Sequence, residues 1–176
     1  NYLPESILKS YKIISEDMVH AFKKLGIDAR IKPINKKKTG VIKGFSSACF
    51  DAPSWYEVVV NNKKLIGSAQ TRRNNIILQH GSIPFVIDVD LLYNVLIVPD
   101  SRKEKIKKLF RKKATWLNRE TSDNIKIDKL KKYLISGWEN IFDVKMKPGR
   151  LTEEENELIK NLMINKYKTA EWNKKR

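Results

Sequence analysis

The sequence has 176 residues, with 36 Lys and Arg against 20 Asp and Glu, giving a net charge of +16. That length supports one domain with a full core, and the 41% hydrophobic content is too high for a disordered chain. The single cysteine, Cys49, excludes an internal disulfide framework and a Cys-rich zinc site. No apolar run reaches spanning length and no signal peptide opens the sequence, so a reducing, cytoplasmic location is the default expectation. The first residue is Asn1 rather than Met, which points to a processed chain or a piece of a longer protein.

The basic residues are spread in short runs: Lys36-Lys37-Lys38, Arg102-Lys103, Lys107-Lys108, Arg111-Lys112-Lys113 and Lys174-Lys175-Arg176. Such a balance suits nucleic acid. An acidic protein partner, steered in by the same field, is a third reading. A composition that places Lys at any solvated position gives the same count.

In chain order, Ile7, Tyr11, Ile14, Met18, Phe22 and Leu25 follow helical spacing, with Pro4 suited to the first turn and Gly26 to the C-terminal cap. One amphipathic helix is expected from about residue 4 to 25. Ala29 to Ile34 reads as a short strand, and Lys36 to Gly44 as a polar loop. Trp55 to Val60 is a strand by its β-branched and aromatic content. Asn61-Asn62 makes a tight turn, and Lys63 to Arg72 returns. Asn74-Asn75 turns again into a strand over Ile76 to Gln79, with Ile83 to Ile87 as a fourth strand or an extension. Past Pro99 the texture becomes helical: Arg102 to Lys112, then Ile127, Leu130, Leu134, Trp138 and Ile141 on one face. Thr152 and Glu155 form a capping box for a last helix, with Leu158, Ile159, Leu162 and Met163 as its expected buried side. Helix, meander, helices is an α+β order.

Cys49 stands in a stretch of small residues between strands. A free cysteine is most often a small buried hydrophobe, but a thiol beside a cation becomes a nucleophile. Lys64 alternates with Lys63, so the two face opposite sides of the strand. Gly67-Ser68-Ala69-Gln70 follows, and a glycine inside a strand marks a close approach by ligand or backbone. His80 reads as a structural histidine at a strand end, and a Cys49–His80 dyad has no local support. Trp55 and Trp138 read as core. No zinc spacing and no Walker or Rossmann glycine pattern occurs.

Ser47 to Glu57, Lys63 to Arg73 and Leu78 to Ile83, in that order, resemble the lipoate-protein ligase A family, and within it the octanoyltransferase branch. Leu3-Pro4-Glu5-Ser6 and the Lys166-Tyr167 to Glu171-Trp172-Asn173 tail extend the resemblance along the whole chain. It implies a biotin and lipoate protein ligase catalytic-domain fold: α+β, a mixed or antiparallel sheet with packing helices. Residues 1–100 would be the C-terminal portion of that catalytic domain, and 101–176 a helical segment packed on it. The resemblance makes Cys49 the carrier of an octanoyl thioester and Lys64 the amine at the acyl carbonyl. Gly67, Ser68, Ala69, His80 and Gly81 would shape the acyl pocket. The implied donor is octanoyl-acyl carrier protein. The implied acceptor is a lysine of the glycine cleavage H protein or a lipoyl domain, with no cofactor or metal. The family's Arg-rich, Gly-Gly-containing motif ending in His would precede Asn1, so the N-terminal part is expected in cis or in trans. An ATP-dependent lipoate ligase would use Lys64 without needing Cys49. A nucleic-acid-binding module is the non-enzymatic alternative and the less expected one.

Overall fold

The computed structural model describes residues 2–33, 56–74 and 76–175. Two compact units divide the chain, Asn1–Val144 and Lys145–Arg176.

The first unit opens with α1 (Ile7–Lys24), whose N-cap Ser6 accepts from the amide of Lys9. Gly26 ends the helix at φ +78°, a value that L side chains rarely adopt. Tyr11, Ile14, Phe22 and Leu25 are buried as the spacing predicts, and Ile7 is exposed. The buried surface is broader than that stripe, taking in Ser10, Ser15, Asp17 and Ala21 as well. The reason is that α1 packs against strands on one flank and against α4 (Ile127–Phe142) on another.

β1 (Arg30–Pro33), β2 (Tyr56–Val60) and β3 (Lys63–Lys64) form an antiparallel sheet in the order β1-β2-β3. Asn61 and Asn62 turn the β2–β3 hairpin at φ 50° and 62°, the positive values that a two-residue turn demands. The return strand is shorter than the sequence suggested. It leaves β2 after Lys64, buries Leu65 and Ile66, and resumes as β4 (Gly67–Arg73) in a separate two-stranded sheet with β5 (Ile76–Ser82). One expected meander is therefore two sheets, because the bonding to β2 ends at the Leu65 amide, and Leu65 and Ile66 turn their side chains into the core.

The expected fourth strand over Ile83 to Ile87 does not form. Ile83 and Phe85 pack on the core, and the carbonyls of Pro84 and Phe85 accept from the amides of Leu117 and Asn118 at 2.9 and 3.0 Å. Its backbone partners thus come from a 3₁₀ turn (Leu117–Arg119) and not from a strand. A short helix unanticipated from the sequence follows, α2 (Val89–Val95), capped by the Asp88 carboxylate on the amide of Leu91. Then come α3 (Asp100–Lys113) and α4. The main core joins Phe22, Ile27, Val58, Val60, Leu65, Leu117 and Leu130, and a smaller cluster joins Val89, Tyr93, Phe110 and Ala114.

The second unit holds α5 (Glu153–Leu162), a π-helical turn (Met163–Tyr167) and α6 (Ala170–Asn173). The Thr152–Glu155 capping box is present in both directions. The expected buried side of α5 is not buried: Leu158, Ile159 and Met163 are exposed. Tyr167 and Trp172 meet edge to face, with the Lys166 amine over the Trp172 ring at 4.7 Å. Among the described residues no helix is long and apolar enough to cross a membrane.

Candidate active site

The β2–β3 turn fixes the register in which Val59 faces Lys64 and Val60 faces Lys63. Strand alternation then separates the two lysines: Lys63 is half-buried and Lys64 only 5% exposed. Glu57, two residues from Val59, shares that face diagonally, and its Oε1 lies 3.5 Å from the Lys64 Nζ. The pair is largely removed from water, so each charge depends on the other and on its remaining contacts. Glu57 is the group that reading the sequence for chemistry passed over. The signal was available, since a two-residue turn at Asn61-Asn62 puts residues 57 and 64 on one face.

The backbone around Lys64 is held on both sides. The Leu65 amide donates to the carbonyl of Val58 and the Thr115 amide to the carbonyl of Lys64, each at 2.9 Å. Lys64 and Ala114 make a parallel bridge. The residue after the end of α3 is thus stitched directly to the strand that carries the amine.

Three residues beyond Lys64, the β4–β5 hairpin carries the other candidates but divides them between its two faces. Gly67 pairs with Ser82, Ser68 with Gly81, and Ala69 with His80. Alternation gives the hairpin two faces. One carries Ser68, Gln70, Arg72, Ile77 and Gln79, and it is anchored to α1. The Tyr11 hydroxyl bonds the Ser68 side chain and donates to its carbonyl at 3.2 Å. Ser10 Oγ donates to Gln70 Oε1 at 2.8 Å, and Gln70 Nε2 to Gln79 Oε1 at 2.9 Å. Arg72 donates to the carbonyl of Pro4 at 2.6 Å. The other face carries Ala69, Thr71, Arg73, Ile76, Leu78 and His80, all exposed, Ile76 by 71% and Leu78 by 62%.

Gly81 has a local reason to be glycine. A Cβ there would lie 2.8 Å from the Ser68 Cβ and 2.9 Å from the Gly67 carbonyl oxygen. Cys49 lies outside the described residues, as do the Lys36 to Gly44 loop, Trp55 and Asn75. The described geometry therefore provides one buried lysine–glutamate pair and, beside it in sequence, a hairpin of small residues pinned to a helix.

Residues 1–139 match the lipoyl protein ligase A/B catalytic domain. The chain is 40% identical to the octanoyltransferase LipM of Bacillus anthracis and 37% identical to that of Bacillus subtilis. In both cases 99% of this chain is aligned, and it spans 64% of the relative's length. Among solved structures, a bi-partite lipoate protein ligase from Thermoplasma acidophilum superposes with a TM-score of 0.75 at 26% identity, over 97% of this chain and 59% of that one. A lipoate-protein ligase A solved with ATP matches in fold with a TM-score of 0.71 at 24% identity, over 96% and 59%. With the family model covering most of its length, the chain belongs to the lipoyl protein ligase A/B catalytic domain family.

Proposed function

We propose that this chain is the thioester-forming portion of an octanoyltransferase that acts in two acyl-transfer steps. In the first, the Cys49 thiolate attacks the carbonyl of an octanoyl thioester on acyl carrier protein; the new carbon–sulfur bond forms as the old one breaks, and the carrier leaves as its thiolate, which takes up the proton that Cys49 gave up on ionising. In the second, the ε-amine of a lysine on a lipoyl domain or H protein attacks the Cys49 thioester. An amide forms, Cys49 departs as thiolate, and the amine proton is released. Each step exchanges one acyl bond for another, so no net oxidation and no nucleotide is needed.

The observation that carries this reading is Lys64, an amine buried on a strand face and positioned by Glu57. A fixed ammonium serves two ends here: it stabilises a nearby thiolate, and it stabilises the oxygen that gains charge when the carbonyl is attacked. The identity to proteins named octanoyltransferase supports the same reading. Gly67, Ser68, Ala69, His80 and Gly81 are the acyl-pocket residues that the resemblance implies; of these Ala69 and His80 lie on the open face of the hairpin, while Ser68 and Gly81 lie on the face held to α1. The remaining third of the relatives' length is taken to complete the site, in cis or in trans.

The test is intact-mass analysis after incubation with octanoyl-carrier protein, with and without the upstream portion of a relative. A hydroxylamine-labile octanoyl adduct should appear and should map to Cys49. Cys49→Ala should abolish it. An adduct elsewhere, or modification of a lipoyl domain that needs ATP and survives Cys49→Ala, would replace this reading with that of a lipoate ligase.

A further inference from the structure

Lys64 ends a strand of only two residues. Two ladder pairs, Val59 with Lys64 and Val60 with Lys63, join β3 to β2. On the other edge of β3 the Lys64 carbonyl is held by the Thr115 amide. Whatever fixes Thr115 therefore bears on where the Lys64 amine stands.

Thr115 is fully buried, and its hydroxyl donates to Oε1 of Glu120. The second oxygen of that carboxylate, Oε2, accepts from the Asn61 side-chain amide at 3.0 Å. Asn61 opens the β2–β3 turn at φ 50°. One carboxylate thus grips both the turn that leads into β3 and the residue that holds the far end of β3. Glu120 is itself seated. It ends the 3₁₀ turn Leu117–Arg119, and its amide donates to the carbonyl of Leu117 at 3.0 Å. Leu117 is fully buried, with its own amide on the Pro84 carbonyl at 2.9 Å. An ionised carboxylate accepts at both oxygens, and such charge-assisted bonds are the stronger kind.

We propose that Glu120 is a positioning residue for Lys64: it closes a Thr115–Glu120–Asn61 brace that fixes where β3 lies, and so the reach of the amine to the acyl carbonyl. The inference rests on the octanoyltransferase reading above and adds what places the amine. Glu57 meets Lys64 at its charged tip, whereas the brace acts on the backbone that carries it. A small displacement of a group aimed at a reacting carbonyl costs rate steeply. Loss of the brace is therefore felt in the chemical step and not in the binding of the donor.

The experiment measures Cys49 loading from octanoyl-carrier protein by intact mass, on the chain with the upstream portion present. Glu120→Ala should lower the saturating rate by about tenfold and leave the half-saturating donor concentration within about twofold. Glu120→Gln offers a carbonyl oxygen to Asn61 and an amide to the Thr115 oxygen, so it should recover most of the rate. Asn61→Gly keeps the positive φ and deletes the donor. It should slow loading by about threefold alone and add nothing to Glu120→Ala. The decisive comparison is made in Lys64→Met. Because the brace acts through Lys64, Glu120→Ala should leave the residual rate of that variant unchanged within about twofold. An equal loss in both backgrounds is a general structural effect and overturns the proposal. So does a glutamine variant as slow as the alanine one, or a changed half-saturating concentration at an unchanged saturating rate. Circular dichroism and thermal midpoints establish that the variants fold, and Asn61→Gly carries the same cycle if Glu120→Ala does not. A second readout needs no chemistry: backbone amide order parameters at Lys63 and Lys64 should fall in Glu120→Ala and hold in Glu120→Gln. If the wild-type chain loads nothing from the carrier, the octanoyltransferase reading fails. The order parameters alone then decide the brace, and unchanged values overturn it.

Discussion

Asp17 is fully buried on α1, and neither carboxylate oxygen has a hydrogen-bond partner among the described residues. Its neighbour is Gly137 on α4, so close that a Cβ on that glycine would lie 1.9 Å from Asp17 Oδ1. Burial alone raises the carboxyl from 3.8 to about 7. The unfolded chain ionises this group near pH 4, while the folded chain keeps the proton to about pH 7. The stability tied to this proton is therefore fully present below about pH 4, falls as pH rises, and is gone above about pH 7. A shift of this size corresponds to roughly 4 kcal/mol, which screening and relaxation bring down to about 2 kcal/mol. Asp17→Ala should accordingly raise urea-unfolding stability by about 2 kcal/mol at pH 8 and by much less at pH 5. Gly137→Ala should cost about 2 kcal/mol or more, and Asp17→Gly should recover a good part of that loss in the double variant. At the candidate site, Lys64→Met keeps the aliphatic stem and removes the ammonium. It should leave a folded protein and lower Cys49 octanoylation by about a hundredfold or more.

Among the elements, those with a strong period or a strong cap were legible in the sequence. The stripe on α1, the Asn61-Asn62 turn and the Thr152–Glu155 box each have a local cause that needs no tertiary partner. What the sequence concealed depended on partners far along the chain. Ile83 to Ile87 has strand composition, yet its carbonyls are taken by Leu117 and Asn118, more than thirty residues on. α2 spans only seven residues, too few for a helical period to emerge, although Asp88 three places before Leu91 is a capping signal. The apolar side of α5 was legible as a pattern, but a pattern does not tell whether anything covers it. For the candidate site, alternation sufficed to set Lys64 apart from Lys63, whereas Glu57 was passed over although the turn places it on the same face, and the α1 anchors of the β4–β5 hairpin were beyond reach. The close approach of β4 and β5 gives an element-level test. Gly81→Ala must push the strands apart at Ser68, and should cost about 1–3 kcal/mol in thermal or chemical unfolding.

Over the whole molecule, surface chemistry is sorted by region. Positive charge dominates the chain and is unneutralised on the outer side of α3, while Ile76 and Leu78 leave an apolar strip on the outer face of β5. Open strands with apolar residues of this kind associate. The chain by itself should sediment with concentration-dependent mass, and Ile76→Thr with Leu78→Thr should reduce that dependence without loss of secondary structure. The bond from the Thr115 amide to the carbonyl of Lys64 joins the basic helix to the strand with the buried amine. That amide exchanges with deuterium only when the two segments part, so its exchange rate is a built-in clock. It counts how often Lys64 loses its seat, and a substitution that loosens the joint can be heard there as a quickening of that clock before any acyl group has moved.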